Sequence, residues 1–146
     1  MTTVTIYTDG GYRPKEGIGA WACLLQYKEH YKELSGHCLN TTNNIMELTA
    51  VINALNALKR PCNVKLYSDS EYVVKGITTW IHTWIKNGWK SADKTPVKNQ
   101  QYWKELYELT KRHDITFTWV KGHDKNEKNN RVDFLCNQAM NNALRM

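Results

Sequence analysis

No apolar run in the 146 residues approaches the roughly 20 that a spanning helix needs, which excludes a membrane anchor of that kind. The start, MTTVTIYTDG, lacks the basic-then-apolar layout of a signal peptide, so a cytoplasmic protein is expected. Proline occurs three times and no Pro/Gly/Ser-rich tract interrupts the chain, which points to one domain over 1–146. Cys23, Cys38, Cys62 and Cys136 are scattered, with no C-x-x-C pair and no Cys/His knuckle, so neither a compact zinc module nor a disulfide framework is indicated. They read as reduced thiols. Repeats and low-complexity tracts are also missing.

A hydrophobic share of 41% with 11% aromatics and 23% charged residues suits a globular chain with a sizeable core. Lys and Arg number 20 against 14 acids, and the resulting +6 suits a polyanionic partner without proving one. The distribution says more. Lys86, Lys90, Lys94, Lys98 and Lys104 fall in one stretch whose single acid is Asp93, interleaved with Trp89 and Trp103.

Residues 4–8 read as a strand that stops at Asp9-Gly10-Gly11, and 20–28 and 31–38 read as two more, with a tight turn at Glu29-His30. From 43 to 59 the period changes to that of a helix, halted by Pro61. A strand at 64–68 ending in Asp69, a short helix at 70–75, a break at Gly76 and a helical run from 78 to 86 follow. A helix at 99–112, a strand at 115–120, a polar loop at 122–129 and a helix at 130–144 complete the chain. Three strands and then β-α units predict an α/β fold, a mixed five-stranded sheet flanked by helices in which the strands at 4–8, 64–68 and 115–120 run parallel. Ligands of such sheets gather beyond the carboxyl ends of the parallel strands, where Asp9 and Asp69 lie.

An Asp at a strand end is ordinarily a turn or cap residue, so neither carries weight alone. The helices decide. Glu47 precedes Val51, Ala54 and Leu58 at i+4, i+7 and i+11, and Asp133 precedes Cys136, Met140 and Leu144 at i+3, i+7 and i+11, so both acids sit on stripes that should face the sheet. Those stripes carry no compensating Lys or Arg. Converging carboxylates repel at roughly 4 kcal/mol per close pair for an effective dielectric of 20, and a divalent ion removes that cost. All-oxygen ligands favour Mg²⁺ or Mn²⁺ over Zn²⁺, and several carboxylates can hold two ions in the arrangement used for phosphodiester cleavage.

The segments TDGG (8–11), TTNNIMEL (41–48), SDSEYV (68–73), GITTWIHTWIKNGWKSADKTPVKN (76–99) and WVKGHDKNEKNNRVD (119–133) together resemble type 1 ribonuclease H, in order and over nearly the whole chain. The resemblance implies the ribonuclease H fold and endonucleolytic, two-metal hydrolysis of the RNA strand of RNA–DNA hybrids, leaving 5′-phosphate and 3′-hydroxyl ends. It places the family's metal-binding acids on Asp9, Glu47, Asp69 and Asp133 and its catalytic histidine on His123. Two Mg²⁺ ions are the implied cofactors, with Mn²⁺ as a substitute. The implied partner is the hybrid, with no membrane, no obligate protein partner and a monomeric state, and the initiating Met without a polymerase segment suggests a free-standing enzyme.

Telling RNA from DNA requires the 2′-hydroxyl, which short amides beside the metal site can reach from the minor groove. Asn43 and Asn44, one turn before Glu47, are the candidates, with Gly11 and Tyr12 beside Asp9. The resemblance adds Thr42 on a DNA phosphate, Glu71 near the RNA strand, and a basic protrusion in which Lys86, Lys90, Lys94, Lys98 and Asn99 meet phosphates and Trp80 and Trp84 offer rigid surfaces. Three departures stand out. The loop after Asp9 is short, with Arg13 as a candidate phosphate contact; Asn40 stands where many relatives have Arg; the loop after His123 is unusually charged. The alternatives are a DNA-cutting nuclease of the same fold, such as a junction resolvase or transposase core, a silent hybrid-binding module, and a metal-stabilised domain without turnover. The Asn pair and the complete set of four acids argue against them.

Overall fold

The computed structural model describes residues 1–122 and 126–146. Strands β1 (Thr2–Arg13), β2 (Ile18–Tyr27) and β3 (His30–Leu39) form an antiparallel meander. Helix α1 (Asn43–Asn56) then crosses to β4 (Cys62–Ser68), which lies parallel to β1 on its other side. A helical segment made of α2 (Glu71–Lys75), a π-type turn (Gly76–Trp80) and α3 (Ile81–Lys86) leads through an irregular stretch to α4 (Gln100–Arg112). Strand β5 (Asp114–Trp119) pairs parallel to β4, and α5 (Glu127–Leu144) ends the fold. The order β3-β2-β1-β4-β5 is the mixed five-stranded sheet expected from the sequence.

Two apolar layers fix the helices against this sheet. On one face Ile6, Val64 and Leu66 meet Val51 and Leu55 of α1 and Trp103 and Leu106 of α4, all fully buried. On the other, Ile18, Ala20, Ala22 and Leu24 of β2 meet Val132, Cys136 and Met140 of α5. No helix among the described residues is long and apolar enough to cross a membrane.

Several local expectations need correction. β1 does not stop at Asp9: it pairs with β2 as far as Arg13–Ile18, because the turn after it is closed within residues 14–17 by Gly17 at φ +65°. The β2–β3 turn is Lys28-Glu29, one residue earlier than expected, with Lys28 in the left-handed region and His30 already paired to Tyr27. Gly76 is no break. The helix runs through it as a π-type turn in which Ile81 N–H donates to the Gly76 carbonyl, and glycine is required because a Cβ there would lie 2.1 Å from the Trp103 ring. α5 begins at Glu127, three residues before the expected start, because the Asn126 side chain accepts from the Lys128 and Asn129 amides. Leu144, placed on the inward stripe by periodicity, is exposed.

Candidate active site

The topology reverses at β1, whose two neighbours are reached in opposite directions, so the carboxyl ends of β1 and β4 form the switch point at which open sheets bind ligands. The last parallel pair is Thr8–Ser68. Asp9 and Asp69 are each the next residue. A tight turn holds Asp69: the Ser70 amide donates to Ser68 Oγ (3.0 Å), Ser70 Oγ caps α2 through the Val73 amide (3.2 Å), and Trp119 Nε1 donates to the Asp69 carbonyl (3.0 Å).

Glu47 reaches the same point from α1. Thr42 starts that helix, its Oγ1 accepting from the Ile45 amide (3.1 Å), which sets Glu47 on the buried stripe with Val51 and Ala54. Gly10 lets strand and helix close, since a Cβ there would lie 2.4 Å from the Glu47 amide nitrogen. As a result carboxylate oxygens of Asp9, Glu47 and Asp69 all lie within 4.8 Å of one another. Asp133, from α5, lines the same cleft of about 330 Å³ with Gly10, Gly11, Tyr12, Arg13, Asn43, Cys136, Asn137 and Met140.

The electrostatics are those of a site built for a cation. Burial, followed by the neighbouring charges of Asp69 and Asp133, pushes the Asp9 carboxyl up to about 8. Glu47 is raised well above the usual carboxylate range, first by burial and then by Asp9 and Asp69. Asp69 is raised by burial. Among the described residues no Lys or Arg forms an ion pair with any of the four acids. Glu47 Oε1 and Asp69 Oδ1 are buried without a hydrogen-bond partner. Orphaned, mutually repelling, all-oxygen donors fit a hard divalent ion.

The remaining candidates occupy three places. Asn43 lines the cleft, and Asn44 is half-buried beside it in the first turn of α1. Lys86, Lys90, Lys94 and Lys98 are all exposed on the protrusion. Trp80 is 38% exposed, whereas Trp84 is half-buried in a cluster, its ring centroid 6.2 Å from Trp80, 6.4 Å from Trp89 and 5.3 Å from Trp103. Glu71 is exposed and paired with Lys75 at 2.9 Å. Asn99 adopts a left-handed conformation before α4. His123 lies outside the described residues, although Gly122, just before it, faces Asp69: a Cβ there would be 3.3 Å from Asp69 Oδ2.

The sequence reading missed two features. The Tyr72 hydroxyl accepts from both Asn99 Nδ2 and Trp103 Nε1 (3.1 Å each), so it ties the protrusion to α4. No local pattern announces that contact between distant elements. Asn137 and Asn141 bind Arg13, and their spacing at i+4 and i+8 from Asp133 is a signal that could have been used.

The RNase H family model matches residues 1–141. A Ribonuclease H of Hydrogenovibrio crunogenus is 54% identical over 140 residues, 96% of this chain and 97% of that one. A Ribonuclease HI of Neisseria meningitidis serogroup B is 52% identical over 137 residues, 94% of each chain. Among solved structures, LC9-RNase H1, a type 1 RNase H with the type 2 active-site motif, is similar at TM-score 0.87 and 27% identity, over 97% of this chain and 74% of that one. The PFV RNase H domain is similar at TM-score 0.78 and 29% identity over 93% of each.

Proposed function

The chain belongs to the RNase H family as a bacterial type 1 member, an endoribonuclease that degrades the RNA of RNA–DNA hybrids with divalent metal, and from that premise we propose which of its residues do so. Asp9, Glu47, Asp69 and Asp133 hold two Mg²⁺ ions, for which Mn²⁺ substitutes. The observation that carries this assignment is the convergence of three carboxylates within 4.8 Å, two of them with an orphaned buried oxygen. When bound, the ions supply an activated water and charge compensation for the leaving oxygen, giving 5′-phosphate and 3′-hydroxyl products.

The chain's own side chains select and position the hybrid. Asn43 and Asn44 sit where 2′-hydroxyls can be read from the minor groove, with Gly11 and Tyr12 on the cleft wall beside them. Thr42 already accepts the Ile45 amide, which leaves its hydroxyl hydrogen for a DNA phosphate. Lys86, Lys90, Lys94 and Lys98 present exposed charges to phosphates, and Trp80 offers a partly open face that Trp84 supports from below. Tyr72 holds Asn99 ready for a further phosphate. Glu71 borders the RNA strand while paired with Lys75. His123 handles a proton at the leaving oxygen. We read the chain as one domain over 1–146 and a cytoplasmic monomer, and its four free cysteines suit a reducing compartment.

Calorimetric Mg²⁺ titration of wild type, Glu47→Gln and Asp133→Asn, with cleavage assayed on the same samples, tests the assignment. Loss of both binding and cleavage in each variant is expected. Wild-type Mg²⁺ affinity in either would remove that residue from the metal site.

A further inference from the structure

Arg131 and Arg13 are both held by oxygen acceptors, but of different charge. Arg131 is spent on Glu33, which it meets through Nε (2.6 Å) and Nη2 (3.0 Å). Arg13 donates from Nη1 to Asn141 Oδ1 (2.7 Å) and from Nη2 to Asn137 Oδ1 (3.2 Å), and neither acceptor carries charge. Among the described residues no carboxylate pairs with it. A guanidinium has five N–H donors in a rigid fork, so three donors and the positive charge remain available.

Its position gives that charge a task. β1 remains extended from Asp9 to Arg13, and side chains alternate along a strand, so Asp9, Gly11 and Arg13 share one face over roughly 13 Å. At Gly11, between acid and cation, a Cβ would meet Met140 Cε (3.4 Å) and Cys136 Sγ (3.5 Å), so the glycine lets α5 pack close against the strand on this face. Asn137 Nδ2 donates to the Asp133 carbonyl (3.0 Å), which fixes the amide with its oxygen toward Arg13. The guanidinium is thus aimed from the helix that carries Asp133, in the same cleft as the other acids.

Resting on the hybrid-cleaving reading above, we propose that Arg13, aimed by Asn137 and Asn141, binds a backbone phosphate of the RNA strand next to the one that is cut. The fork suits two phosphate oxygens, and the strand attacked at the acids must also pass Arg13. The turn after β1 closes within residues 14–17, so Arg13 ends the strand and lines the cleft.

Anisotropy of a fluorescein-labelled RNA–DNA hybrid in Mg²⁺, over a range of NaCl, tests this on an Asp133→Asn background that does not turn over. Arg13→Gln should weaken binding roughly 10-fold or more and make the log Kd against log salt slope shallower by about 0.7–0.9, one phosphate contact. Arg13→Lys should restore the slope and part of the affinity. Unchanged affinity and slope, with only a lower Tm, would make Arg13 a strut between β1 and α5 and overturn the proposal. Cleavage of the same hybrid by the wild type is scored separately: if the wild type fails to cut RNA, the functional reading falls, while the binding comparison still decides whether Arg13 meets phosphate.

Discussion

Asp9 and Asp69 each follow a member of the Thr8–Ser68 pair, the last rung between two parallel strands, so their carboxylates emerge side by side at the sheet edge. This juxtaposition comes from backbone register and would survive loss of the ions that exploit it. It follows that the acid cluster opposes folding when no cation is present.

Asp9→Asn should therefore abolish cleavage and yet stabilise the metal-free protein by ~1–3 kcal/mol, because it removes an acid whose ionisation burial and the neighbouring carboxylates disfavour in the folded state. Thermal melts in EDTA check this. An unchanged or lowered Tm would mean that the repulsion is relieved in some other way.

The same cluster sets a pH dependence. Asp9 is raised to about 8 in the folded protein, and Glu47 and Asp69 are raised as well, whereas in the unfolded chain they titrate near 4. Acids with raised folded-state values bind more protons folded than unfolded, so their contribution is fully present below about pH 4 and is lost as pH rises through the folded values. In EDTA the Tm should fall between pH 5 and pH 9, and saturating Mg²⁺ should flatten that decline. A flat EDTA profile would contradict the raised values.

Gly76→Ala should destabilise by roughly 1–3 kcal/mol, the usual cost of overpacking, because its Cβ would enter the Trp103 ring. Trp103→Phe removes the offending atoms. In the double variant Gly76→Ala should therefore cost less than it does alone, a coupling that a urea double-mutant cycle would read. Strict additivity would show that the π-type turn can shift without resisting Trp103.

Replacing Lys86, Lys90, Lys94 and Lys98 together by Ala should raise KM and flatten its salt dependence while leaving kcat nearly intact. Each lost phosphate contact removes about 0.7–0.9 from the slope of log K against log salt. An unaltered slope would place the hybrid elsewhere.

His123→Ala should lower kcat by roughly 10- to 10³-fold, the range of a positioned acid–base group, with Mg²⁺ affinity unchanged. Wild-type kcat across pH 6–9 would relieve the histidine of that duty.

Much of this was legible in the sequence because it rests on periodicity. Glu47 among Val51, Ala54 and Leu58 marked an acid on a buried stripe, and the mixed sheet followed from the order of strands and helices. Contacts between distant elements left no such trace. Gly76 reads locally as a break, and only the Trp103 ring pressed against it explains the glycine. The extension of β1 past Asp9 depends on pairing with β2 as far as Ile18, which no short window contains. Arg13 was visible as a cation in a short loop, but its aim came into view only once α5 brought Asn137 and Asn141 beside it.

Four acids at the β1–β4 switch point acting with divalent metal on the RNA strand of a hybrid are tested most directly by one gel. RNA labelled at its 5′ end is annealed to DNA and incubated with the protein in Mg²⁺, in EDTA, and in Mg²⁺ with Asp9→Asn, beside RNA–RNA and DNA–DNA duplexes. The expected result is internal cleavage of the hybrid's RNA in the wild-type Mg²⁺ lane alone, leaving 3′-hydroxyl ends. Cleavage that persists in EDTA or in Asp9→Asn, or equal cutting of the DNA duplex, would contradict it.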